Sequence, residues 1–220
     1  FEDFGKFGRT LKIGTQVLMF MIRGLYHKWK MPLCYYVVHN SVSGTRLSQL
    51  LLECINKLNS IGLNVRATVC DQGSNNRAAA TVLDVNQDKP YFQVNENKIY
   101  FIFDVPHLIK SIRNNMMKNV GRGKILFESG EADWKDIINI YEIDAKEGNK
   151  ARALGKLSHK HIYPNEFEKM KVKYATQVFS NSVAAAIRTA VRTQELPATA
   201  LQTADFVQSV NDIFDVLNSR

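Results

Sequence analysis

Apolar and polar positions follow two different periods along the chain. TQVLMFMIRGLY (15–26) and MPLCYYVVHN (31–40) are rich in β-branched, aromatic and aliphatic residues and are separated by the polar turn HKWK, which predicts an antiparallel hairpin. From Thr45 the period changes. Leu47, Leu50, Leu51, Cys54, Ile55 and Leu58 recur at three and four, predicting an amphipathic helix that ends at Gly62. LNVRATVC (63–70) predicts a buried strand, and GSNNRAAATVL (73–83) a short helix with Ser and Asn as capping candidates. KIYFIFDV (98–105) predicts a second buried strand. PHLIKSIRNNMMKN (106–119) then predicts a helix that carries Pro106 at its start, where the missing N–H is tolerated.

Beyond residue 119 the pattern turns helical. NVGRGKILF (119–127) reads as a boundary loop, EADWKDIINIYEID (131–144) as a helix, 163–191 as one or two helices, and 198–220 as the last. The expected organisation is an α/β unit over 1–118 and a mainly helical unit over 119–220. No internal repeat or low-complexity tract interrupts it.

In an α/β order of this kind the C-terminal ends of strands gather in one crevice. Asp71 and Asp104 both fall at such ends, 33 residues apart, about one strand–helix–strand unit. The pattern alone leaves Asp71 either a metal ligand or a turn residue. Asp104 and His107, three apart, are either an outer carboxylate–imidazole pair or a helix cap with a satisfied histidine.

Composition narrows the partners. Of 220 residues, 45% are hydrophobic, enough for packed cores, and Lys and Arg number 29 against 21 acids for a net charge of +8, which favours polyanionic partners. Cys34, Cys54 and Cys70 form no CxxC pair, so neither a zinc knuckle nor a disulfide framework is expected, and a reducing intracellular compartment fits. VLMFMI is stopped by Arg23, far short of a membrane span, and the start without Met suggests a piece of something longer. His159 and His161 in HKHI lack a helical metal spacing. No GxxxxGK[ST] is present, and GRGK (121–124) is too short to replace it, which argues against a P-loop GTPase. Yet from Lys146 to Lys173 eight Lys or Arg stand against three Glu. Such a run is either a solvated helix face or a phosphate-binding surface. Lys6, Arg9, Lys12, Lys28, Lys30, Lys110, Arg113 and Lys118 are further candidates for DNA phosphates.

Five blocks, GLYHKWKMPLCYYVV, VCDQGSNN, FDVPHLIKSIRNN, LSHKHIYPNEFEKMKVKYATQVFSNSVAAAI and FVQSVNDIFDVLNSR, resemble P-element-type DNA transposases, including the THAP-domain transposase-like proteins. The resemblance implies a partial RNase H-like mixed sheet with flanking helices, followed by a mainly α-helical GTP-binding insertion. It implies Asp71 as the second of three acids that hold Mg²⁺ or Mn²⁺ for DNA cleavage and joining, the first lying upstream of Phe1 and a Glu beyond Arg220. Glu2 and Asp3 follow the first acidic strand and do not replace it. The residues matching the family's GTP site are Lys156, Lys171, Val172, Ser180, Asp215 and Asn218. Their expected roles are phosphate contacts for the lysines, backbone or packing contact for Val172, and the guanine edge for Asp215 with Asn218. The implied partners are transposon-end DNA and GTP as a structural cofactor, in the nucleus, and whether the protein forms a homo-oligomer is left open. The fragment alone is expected to be inactive. The alternative is a host-domesticated protein that binds GTP and DNA without catalysis.

Overall fold

The structure is a computed structural model and describes residues 1–118, 124–127, 130–146 and 152–218. The chain folds as two compact units, Phe1–Phe103 and Asp104–Arg220.

The first unit is mixed α/β. Strands β1 (Gln16–Arg23) and β2 (Lys30–Val38) pair antiparallel from Gln16↔Val38 to Arg23↔Lys30, with a bulge between Phe20 and Met21. Helix α1 (Gly44–Ser60) starts where the Ser43 hydroxyl accepts the Arg46 N–H at 3.3 Å, and the chain leaves it through Gly62 at φ 83°, a left-handed conformation suited to glycine. Then come β3 (Ala67–Cys70), α2 (Ser74–Val82), β4 (Tyr91–Val94) and β5 (Asn97–Phe103). They make a second sheet of order β3-β5-β4, with β3 parallel and β4 antiparallel to β5.

Helix α1 serves both sheets. Its Leu50 packs with Val38 and Val42, while its Ile55 packs with Phe92, Ile99 and Phe101. Gly44 lets α2 come close, since a Cβ there would lie 2.5 Å from the Ala78 Cβ. Both helices leave the other face of each strand open, so β3 and β5 are buried on one side only: Val69 is 64% and Ile102 43% exposed. The expectation of buried strands therefore holds for one face and not the other, with Ile99 and Phe101 of β5 in the core. Strand β4, absent from the sequence reading, is four residues long and turns into β5 through Asn95 at φ 55°.

The second unit comprises α3 (Val105–Lys118), a small hairpin of β6 (Ile125–Phe127) and β7 (Gly130–Ala132), then α4 (Trp134–Lys146), α5 (His159–Ile162) and α6 (Glu166–Lys169). It ends with α7 (Val172–Val178), α8 (Asn181–Arg192) and α9 (Ala200–Leu217). Trp134, Ile137, Phe179, Val183, Ile187 and Val207 lie in one continuous core, with Ile109 and Met116 of α3. Helix α3 thus packs with the helical unit. The units divide after Phe103, whereas the change of period lies near residue 119. Of the expected loop at 119–127 and the basic run, residues 119–123 and Lys150 lie outside the described residues.

The stretch 163–191, expected as one or two helices, holds three, α6, α7 and α8, separated at 170–171 and 179–180. Asn165 and Glu168 form a reciprocal cap that opens α6, each side chain accepting the other's backbone N–H at 2.9 Å, and Ser180 is extended at the entry to α8. Arg113 corrects another expectation. It is wholly buried, donating to Asn114 Oδ1 and to the Lys169 carbonyl, and so has no surface to offer a phosphate. Lys6 and Arg9 pair with Glu53 at 3.3 Å and Asp3 at 2.7 Å. No helix among the described residues is long and apolar enough to cross a membrane.

One buried polar contact gives a stability prediction. Thr203 on α9 donates its hydroxyl to Asp136 Oδ2 at 2.5 Å and accepts the Asp133 N–H at 3.1 Å. Burial pushes the Asp136 carboxyl above its usual range, outweighing the Thr203 bond. A raised folded value means that the group stabilises most below about pH 4 and that this contribution is lost as pH rises through the folded value. Asp136→Asn keeps an acceptor for Thr203 and removes the charge. Thermal melts should show the variant above wild type at pH 7, by roughly 1–3 °C, with the gap closing toward pH 4.

Candidate functional site

Asp71 directly follows β3, and its position is built by the six residues DQGSNN. Its Oδ1 accepts the Gly73 N–H at 2.8 Å and the Asn76 side-chain amide at 2.8 Å, and the same amide reaches the Asp71 carbonyl at 3.2 Å. Glycine at 73 leaves room for this approach, since a Cβ would stand 2.9 Å from Asp71 Oδ1 and push the carboxylate aside. The expected Ser or Asn side-chain cap on α2 is not made: Gly73 is the cap residue, and Asn76 bonds Asp71 instead.

Asp71 opens onto a cleft of about 280 Å³ walled by Gln16 and Leu18 of β1, Val42 after β2, and the 73–76 turn. Within this unit β1 pairs only with β2 and β3 only with β5, so each strand keeps an unpaired edge. Neighbouring Cys70 has its thiol pushed up to about 11, by burial first and the Asp71 charge second, so it stays protonated at neutral pH. Glu2 and Asp3 are spent on local structure. Glu2 accepts the His39 N–H at 3.1 Å and the Thr10 hydroxyl at 2.9 Å, and Asp3 accepts the Gly5 N–H at 2.8 Å. Among the described residues no three His, Cys, Asp or Glu gather as a metal site. Asp71 by itself does not suffice for a two-metal centre, which needs several oxygen ligands.

At the start of α3, Asp104 acts as a cap: its Oδ2 accepts the His107 N–H at 3.2 Å and contacts His107 Nδ1 at 2.5 Å.

In the helical unit, Lys171 is the residue before α7 and holds its ammonium 5.3 Å from the centre of the Tyr174 ring. Val172 opens α7, and Ser180 follows it by two residues as the entry to α8, without capping that helix through its side chain. The hydroxyl donates backward to the Gln177 carbonyl at 3.1 Å. Helices α8 and α9 run antiparallel, with Arg188 paired to Asp205 at 2.9 Å and Gln208 bonded to Asn181. Asp215, two turns past Gln208, lies about 10 Å further along α9, on the side of α8 where Ser180 stands. It accepts the Asn211 amide at 3.0 Å, and Asn218 ends the helix one turn on.

Lys156 sits exposed in the turn before α5. The turn is linked to Lys171 through contacts the sequence reading missed. His161 Nδ1 accepts the Ser158 N–H at 3.1 Å, its Nε2 faces Gln177 Oε1 at 2.8 Å, and its ring lies 4.7 Å from that of Tyr174, which also carries Lys171. With Nδ1 accepting, Nε2 carries the proton and donates to Gln177. Helices α5 and α7 thus bring the two lysine-bearing segments into one neighbourhood, and α8 and α9 bring Ser180 and the Asp215–Asn218 turn to one end of their pair.

Comparison with known proteins agrees with this division. The model of the TNP-like RNase H N-terminal domain matches residues 1–84, and that of the TNP-like GTP-binding insertion domain matches 106–220. The chain is 31% identical to the Transposable element P transposase of Drosophila melanogaster over 209 residues, covering 93% of the chain and 26% of the fly protein. It is 30% identical to the human DNA transposase THAP9 over 220 residues, covering 94% of the chain and 23% of that protein. Among solved structures, the Drosophila P element transposase strand transfer complex aligns over the whole chain and 48% of its own, with a TM-score of 0.79 and 28% identity. The chain therefore spans about a quarter of the length of the fly and human proteins and about half of the solved chain. With both halves matched in order, it belongs to the P-element-type transposase family and carries the start of an RNase H-like domain followed by a GTP-binding insertion domain.

Proposed function

We propose that this chain is the part of a P-element-type transposase in which a guanine nucleotide is held by the helical unit while one acid of the DNA-cleaving centre is presented by the α/β unit. The observation that carries the reading is the match of residues 106–220 to a GTP-binding insertion domain, which includes every residue expected to touch the nucleotide. Lys156 and Lys171 meet phosphates, the free N–H groups at the entry to α8 offer further donors near Ser180, and Asp215 with Asn218 reads the guanine edge. GTP serves as a structural cofactor for assembly on transposon-end DNA in the nucleus.

Asp71 is proposed as one carboxylate of the cleavage centre. A strand from upstream of Phe1 would fit between the open edges of β1 and β3 and bring the first acid to the Asp71 cleft, with the Glu supplied from beyond Arg220. The divalent metal belongs to that completed centre.

Calorimetry on the chain in low-salt, magnesium-replete buffer tests the nucleotide half. GTP should bind about 10²-fold more tightly than ATP, the discrimination that a pair of hydrogen bonds to one charged acceptor supplies. Absence of heat with GTP would sink the reading, and equal binding of ATP would remove the guanine assignment.

A further inference from the structure

Lys156 is exposed at the tip of a turn whose two ends are both tied to one largely buried ion pair. Asp144, near the end of α4, is 7% exposed, and the paired side chains of Asp144 and Arg152 are 6% and 16% exposed. Arg152 Nε donates to Asp144 Oδ2 at 2.8 Å, and the Leu154 N–H donates to Asp144 Oδ1 at 3.0 Å. The second arm of the guanidinium donates to the Leu157 carbonyl at 3.0 Å, and the Leu157 N–H closes the turn on the Leu154 carbonyl at 2.8 Å. The guanidinium also lies 5.5 Å from the centre of the Tyr141 ring. Leu154 and Leu157 are buried, so Gly155 and Lys156 project from a segment anchored before and after them.

A buried ion pair is a poor way to gain stability, because desolvating two charges offsets most of their attraction and apolar residues of like volume do as well. What it does well is fix geometry, provided every polar atom finds a partner. Here the pair's bonds run into the backbone of the turn that bears the lysine. Downstream the same turn is held through Ser158 and His161 to Gln177 of α7, the helix that begins beside Lys171.

We infer that Asp144 and Arg152 are positioning residues of the nucleotide site, holding the 154–157 turn so that Lys156 meets the triphosphate without first being ordered. This rests on the proposed phosphate role of Lys156. A binding group held in place before the ligand arrives loses less freedom on binding, which raises affinity without a new contact. Because the pair acts through a phosphate contact, it affects GTP and ATP alike and leaves guanosine binding unchanged.

The test is a double-mutant cycle on the chain, read by calorimetry with GTP, ATP and guanosine. Arg152→Lys keeps the charge but loses the second arm to Leu157. It should weaken GTP about tenfold, and Lys156→Ala should weaken it about 10–100-fold. The double variant should bind no worse than Lys156→Ala alone, since the pair has nothing left to position. An unfolded Arg152→Lys is replaced by the apolar pair Asp144→Leu with Arg152→Met, which should fold and still bind GTP weakly. Additive losses, an equal loss for guanosine, or full GTP affinity in the apolar pair would overturn the inference. No loss in Lys156→Ala would overturn the phosphate role itself, and with it the inference.

Discussion

Asp71→Asn in the full-length protein is expected to lower DNA strand cleavage roughly 10³-fold or more, the scale on which removing one member of a concerted catalytic group acts. DNA and GTP affinity should stay within about twofold, because phosphate contacts and not this acid dominate binding. The substitution is nearly isosteric. An amide oxygen at the Oδ1 position still accepts from Gly73 and Asn76, so the turn that opens α2 keeps its hydrogen bonds. What disappears is the negative charge facing the cleft beside β1. Asn76→Ala supplies the complementary test: it leaves the charge and the Gly73 N–H bond but removes the amide that helps fix the carboxylate, and should give an intermediate loss that Asn76→Ser only partly restores. A full-length Asp71→Asn protein that melts like wild type and cuts DNA at the wild-type rate would remove Asp71 from the centre. The 220 residues alone should not nick DNA with Mg²⁺ or Mn²⁺, and strong Asp71-dependent cutting by them would argue against partner acids from outside the chain.

How much of this was legible depends on the range over which each feature is encoded. Helices α1 and α3 repeat their apolar residues for several turns, so period alone located them, and the Asp71 turn is written in six consecutive residues. Strands β4, β6 and β7 span three or four residues each, too few for alternation to stand out against a loop. Arg113 shows a different limit. Its charge suggested a surface position, but its backbone position on α3 is a core one, with Ile109 and Met116 one turn to either side, and a carbonyl 56 residues away accepts from it. The contacts that hold the Lys156 turn are equally nonlocal: Asp144 meets Arg152 across eight residues and His161 meets Gln177 across sixteen. Residue types at candidate ligand positions were visible in the chain. The side chains that orient them became visible only once α4, α5 and α7 had packed.

Asp215→Ala should reduce GTP affinity about 10²-fold while changing ATP by less than about threefold, the size expected when two hydrogen bonds to a charged acceptor are lost from one ligand and none from the other. Guanine presents N1–H and the N2 amine side by side, and an ionised carboxylate offers two acceptor oxygens to match; adenine has no such pair of donors. Asp215 is exposed in the final turn of α9, where Asn211, its side-chain partner at 3.0 Å among the described residues, leaves acceptor capacity on the carboxylate. Because it is exposed and away from the core of α9, alanine there costs little stability, so a loss of binding cannot be assigned to unfolding. Asp215→Asn carries the argument further. Its amide offers one acceptor and one donor, which mismatches guanine but fits xanthine, whose C2 carbonyl accepts where guanine's amine donates. The variant should therefore bind xanthosine triphosphate better than GTP, reversing the order in wild type. A reversal of preference cannot come from a weakened fold, and equal losses for GTP and ATP in Asp215→Ala would mean that the end of α9 does not read the base.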